Sequence, residues 1–126
     1  MSVENSLEEK LSLSSIDLND PKIIYIDDGP KAVAYFCKTS PLRVDKKVID
    51  ELKNIFHKIA PRNVRLCLHE GPEALFHDMI IFERKGNYYR PHRHGDKGET
   101  FQIIEGRMGV FSFDSVGKVV DACVLN

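Results

Sequence analysis

The chain has 126 residues, 42% of them apolar, enough for one modest core. Eighteen basic residues stand against nineteen acidic ones, and the formal charge of -1 argues against strong attraction to nucleic acid or an anionic membrane. No apolar run approaches a membrane span, and the opening MSVENSLEEKLSLSS has acidic residues where a signal peptide needs an apolar stretch.

Residues 1–20 are rich in Ser, Glu, Asp and Asn and read as a polar N-terminal arm. Residues 21–126 read as a single domain. KIIYI (22–26) has strand character, DDGP (27–30) is a turn, and KAVAYFCK (31–38) is a second strand. DKKVIDELKNIFHKIA then shows helical spacing over 45–59, with Ile49, Leu52, Phe56 and Ile59 on one stripe. Asp45 is placed to cap its start, and Pro61 marks the stop. Beyond Pro61 the period shortens towards two. Strand segments are expected at 63–69, 74–83, 87–94, 99–105, 108–114 and 119–125, with turns at RKG (84–86), GDKG (95–98) and SVGK (115–118). Many short strands with glycine-rich turns point to an all-β antiparallel sandwich or barrel.

The chemistry concentrates in one segment. His92 and His94 are separated by one residue, which on a strand points both rings to the same face. Glu99 follows across a glycine-rich turn and brings a carboxylate near the two imidazoles. Two His and one carboxylate make a facial set with open metal positions, the arrangement of non-haem iron, with manganese, nickel and zinc as alternatives. The bland reading is a pair of surface histidines in a polar turn. Gly86 and Gly106 permit sharp turns at either end, and Pro91 favours an edge or bulge just before the ligands.

Gly86, His92, His94, Glu99 and Gly106 stand at the spacing G-x5-H-x-H-x4-E-x6-G, which resembles the first motif of the cupin superfamily. YYRPHRHGDKGETFQIIEGRMGVFSFDSVGKV is closer still to the core of the WbuC-type cupin-fold metalloproteins, through Pro91–His94, Glu99 and the Phe113–Gly117 hairpin. The resemblance covers about residues 40–125. It implies a cupin-type jelly-roll β-barrel or sandwich with one divalent metal ion (Fe, Mn, Ni or Zn) on His92, His94 and Glu99. It also implies a setting in bacterial surface-polysaccharide metabolism. A second cupin motif of the form P-x-G-x-x-H is expected after the hairpin, and the sequence reaches Asn126 before one. The expectation is a shortened, incomplete barrel, whose gap is filled by the early strands of the same chain or of a partner. That makes a homodimer the expected assembly.

Other residues surround this core reading. His69 is in strand phase with Arg65 and Cys67 and is a candidate fourth ligand or outer partner of the metal; otherwise it is an ordinary hydrogen-bonded histidine. Tyr88 and Arg90 share the phase of the histidine pair and are candidate ligand-binding residues, Arg90 for a carboxylate or phosphate of a small polar or anionic ligand. The alternative is a surface arginine and a partly buried tyrosine. Cys37, Cys67 and Cys123 are odd in number and form no CxxC pair, which fits free thiols in a reducing, cytoplasmic setting. Three functions stay open: an enzyme acting on a small sugar-derived or polar substrate, a non-catalytic metal- or ligand-binding module, and a structural remnant. Cupin geometry serves many chemistries, and catalytic residues are not assigned.

Overall fold

The computed structural model describes residues 16–39 and 43–126; residues 1–15 of the expected polar arm lie outside the described residues. Two compact units are present, the first ending at Asn87 and the second running from Tyr88 to Asn126.

The first unit is a four-stranded sheet with a helix. Strands β1 (Ile24–Asp28), β2 (Ala32–Cys37), β3 (Asn63–Cys67) and β4 (Met79–Phe82) lie in the order β1-β2-β3-β4, and helix α1 (Lys46–Lys58) falls between β2 and β3. β1–β2 is an antiparallel hairpin, from Ile24 opposite Cys37 to Asp28 opposite Val33. β2 and β3 are parallel, with Ala32 opposite Asn63 and Phe36 opposite Cys67. β4 returns antiparallel to β3. The parallel pair departs from the antiparallel architecture expected from the sequence. A tight turn cannot join parallel strands, so the chain crosses over, and the amphipathic 45–59 segment is that crossover.

The helix begins as expected. The Asp45 carboxylate accepts from the Val48 backbone N–H at 3.1 Å, and Asp45 itself is extended, as a capping residue is. His57 and Lys58 occupy the last turn, where a cation complements the helix dipole. Arg84 closes that end from the sheet side. Its guanidinium donates to the carbonyls of Phe56 and Arg62, and its Cζ lies 3.6 Å over the Phe56 ring.

The buried stripe differs from the expected one by part of a turn. Val48 and Leu52 are fully buried and Ile55, Phe56 and Ile59 pack beside them, while Ile49 stays outside the cluster. Val48 and Ile55 share a face with Leu52 and Phe56 at three- and four-residue spacing, and this seam meets the sheet more squarely. The sheet's answering face consists of Ile24, Val33, Tyr35, Cys37, Val64 and Leu66. Ile16 and Leu18, from the segment read as a polar arm, are buried in the same cluster.

The second unit contains one hairpin, β5 (Met108–Phe113) with β6 (Val119–Leu125), antiparallel and bulged between Ser112 and Phe113. Its turn is set by Asp114, whose carboxylate accepts from the N–H groups of Val116 and Lys118 at 3.0 and 2.9 Å. Gly117 takes φ 87° there, a conformation that favours glycine. The expected strands at 87–94 and 99–105 are absent; both segments are irregular chain. In the first unit, the expected 74–83 strand shortens to four residues. The architecture is therefore mostly β, two sheets with six strands among the described residues, without closure into a barrel.

Leu52 has no exposed surface. Leu52→Ala is expected to cost about 2–5 kcal/mol, the loss for a packed leucine that leaves a cavity. Urea unfolding measures it, and a loss below about 0.5 kcal/mol would be too small for a site packed in this way.

Candidate metal centre

His92, His94 and Glu99 lie in the second unit, whereas the motif's two glycines of positive φ fall one in each unit, Gly86 at 84° in the first and Gly106 at 90° in the second. The sharp turns that the sequence placed at these residues are real. The chain between them is not a strand, so the two histidines do not converge through strand alternation. They converge through the rings themselves. His92 and His94 meet edge to face with centroids 4.8 Å apart, and their Nε2 atoms are 3.1 Å apart. The Glu99 Oε1 atom is 3.1 Å from His94 Nε2.

Hydrogen placement constrains this group. His92 Nδ1 lies 2.8 Å from the Arg90 carbonyl oxygen, which can only accept. Nδ1 therefore carries the hydrogen, and Nε2 of neutral His92 presents a lone pair towards His94. Glu99 presents another acceptor to the same His94 nitrogen. One ring hydrogen on His94 Nε2 has two acceptors to serve, an arrangement that a cation satisfies better than a single proton. Ligands bound at about 2.1 Å and at right angles lie about 3 Å apart. His92–His94 and His94–Glu99 are both at that spacing. His92 and Glu99 do not touch, so the three side chains form an open chain centred on His94, and no group of three or more His, Cys, Asp or Glu side chains among the described residues is placed to hold a metal ion as it stands. The side chains of His94 and Glu99 are each 44% exposed, so their ion pair alone adds little stability.

The remaining candidates are placed differently. Tyr88 is 79% exposed and Arg90 is also exposed; the contact Arg90 contributes is its backbone carbonyl, a role invisible to a reading of side-chain types. His69 belongs to the first unit, where it is buried. The Asp78 carbonyl already accepts from Leu68 N–H at 2.8 Å, so the Asp78 N–H, 3.2 Å away, is best matched by His69 Nδ1 as its acceptor. His69 stacks on His77 with centroids 4.2 Å apart and meets Phe36 edge on. The imidazole pair has no signature in residue spacing, because an irregular turn at 70–77, not strand periodicity, brings His77 back over His69.

Residues 44–125 match the family described as Domain of unknown function (DUF6016). The chain belongs to this family. The DUF6016 region contains α1, β3 to β6 and the whole His92–Glu99 group, whereas β1 and β2 precede it. No curated protein and no solved structure matches the chain.

The three thiols are free, with Cys37 and Cys67 buried and Cys123 exposed. Burial pushes both Cys37 and Cys67 from an ordinary 9.0 up to about 11; at Cys67 the nearby Arg65 charge partly opposes the rise. At pH 8 only about one in a thousand of each is thiolate. An aromatic disulfide reagent is thus expected to titrate one thiol, Cys123, quickly in the folded protein and three after denaturation; fast reaction of a second thiol would contradict the packing. Between about pH 9 and 11 the unfolded chain sheds these protons and the folded chain keeps them, so stability should fall as pH rises through that window. Thermal melts across it check the sign.

Proposed function

We propose that the protein is a metal-binding cupin-type protein that holds one divalent ion, iron, manganese, nickel or zinc, on His92, His94 and Glu99. The observation that carries this reading is the convergence of two Nε2 atoms and a carboxylate oxygen at 3.1 Å steps around His94. Three donors of this type leave coordination positions for substrate oxygens, and a bound divalent ion supplies Lewis-acid polarisation there. His92 is held in the ligand tautomer by the Arg90 carbonyl, and Glu99 offsets the charge. The Arg90 guanidinium and the Tyr88 hydroxyl, both exposed beside the motif, would bind the carboxylate or phosphate of a small sugar-derived or polar substrate. The jelly-roll fold, a role in surface-polysaccharide metabolism and a cytoplasmic setting belong to the same reading. Its supports are the motif spacing, the mostly β architecture and the three free thiols.

A non-catalytic metal- or ligand-binding module is the second reading. It is favoured by the openness of the group, since His94 and Glu99 remain nearly half exposed and catalysis profits from exclusion of water.

Assembly as a homodimer is part of the proposal. Tyr88, Phe101, Ile104, Phe111, Val120 and Val124 of the second unit are all more than half exposed. Exposed aromatic and aliphatic side chains in this number, on a unit with little core of its own, favour burial against a partner. The β5–β6 hairpin also has two outer edges available for pairing.

Elemental analysis of the purified full chain is expected to find close to one equivalent of one of these metals. His94→Ala, which removes the shared centre of the group, should empty the site, and His92→Ala and Glu99→Gln should each deplete it. Equal metal content in all four proteins would reject the site. Sedimentation at micromolar concentration is expected to give a dimer; a metal-loaded monomer would reject the assembly and leave the ligand set standing.

A further inference from the structure

The face of the first sheet turned away from α1 carries an unusual group. Arg65 lies on β3, an interior strand with β2 on one side and β4 on the other. Its neighbours Val64 and Leu66 are fully buried against the helix side, so strand alternation turns Arg65 to the opposite face. Cys67 and then His69 follow along the same line, and Phe36, opposite Cys67 on β2, touches the His69 ring. Across the sheet, Arg65 is flanked by Ala34 on β2 and Ile81 on β4. Ala34 brings only a methyl group to the face beside the guanidinium.

The arginine's Nε is buried and has no hydrogen-bond acceptor. No carboxylate among the described residues forms an ion pair with it. Asp27, in the same cross-strand row on β1, is two strands away, about 10 Å between backbones. A buried N–H without an acceptor is rare in native proteins and calls for an unseen partner. The positive charge is felt locally, since it is what pulls against the burial of the Cys67 thiol. A guanidinium on an interior strand, with a small alanine beside it and an unserved donor, has the fork geometry that matches two oxygens of one anion.

We propose that Arg65 is the centre of a second binding site, in the first unit, for the carboxylate or phosphate group of a small molecule. Phe36 and the stacked His69–His77 pair form an aromatic wall on the same face, further along β3. This site stands apart from the metal reading, because all its residues precede the His92–Glu99 motif and it needs no metal. It also gives the arginine's unsatisfied donor a partner.

The test is a titration of the full-length, 15N-labelled protein, reading the Arg65 Nε–H resonance while chloride is exchanged for inorganic phosphate or, separately, for acetate at constant ionic strength. A saturable shift of that resonance is expected with at least one of them. The phosphate and acetate arms distinguish a tetrahedral from a planar oxyanion. Arg65→Met should fold with an unchanged or higher melting temperature and weaken binding about tenfold or more, as the loss of a charged hydrogen-bond donor does. A response of Arg65 no steeper than that of the exposed arginines would overturn the site, as would equal affinity in Arg65→Met. The wild-type resonance decides the matter even if that variant does not fold, with Arg65→Lys then serving for its assignment.

Discussion

Parallel pairing of β2 with β3 is the constraint on which the first unit depends. Parallel neighbours need a crossover, and the crossover here is a helix whose apolar seam has to lie on the sheet. That one requirement fixes several others. It buries Val48 and Leu52 on Val64 and Leu66, makes β3 an interior strand and commits one face of the sheet to the core. It also commits the alternate residues of β3, Arg65 and Cys67, to the other face. Arg84, reaching from the end of β4 to the helix carbonyl of Phe56, ties the crossover to the strand that follows it.

The second unit is organised by local rather than long-range terms. Asp114 and Gly117 set the turn, the β5–β6 ladder follows from it, and Gly106, at positive φ, follows the histidine segment. Such a unit has little core of its own; Phe111, Val120 and Val124 remain largely open to solvent. A lone two-stranded hairpin is marginal in water, so association matters more here than in the helix-backed sheet.

The elements most legible in the sequence were those with a complete local signal. Asp45, the apolar spacing after it and Pro61 located the helix, and the alternating runs located β1, β2, β5 and β6. The parallel register was not legible, because alternation gives a strand's faces and not the direction of its neighbour. The segments 87–94 and 99–105 read as strands because they hold Tyr, Phe and Ile, yet Pro91 and the glycines around them leave no continuous ladder. His92, His94 and Glu99 were legible as a group through spacing alone. The Arg90 carbonyl that sets the His92 tautomer was not, since main-chain atoms leave no trace in residue type. Arg65 was visible only as a residue in phase with His69. Its missing acceptor is a property of packing.

The mismatch between family range and fold has a consequence for how this sequence could be cut or recombined. The DUF6016 region starts at residue 44, at the door of α1, while half the sheet against which α1 packs lies upstream of it. A polypeptide beginning there would present the β2-facing side of β3 as a naked edge and the seam of α1 half covered. In this chain the region matched by the family and the unit of folding therefore have different boundaries. The upstream hairpin of β1 and β2, with Ile16 and Leu18, has to travel with the family region for that sheet to exist.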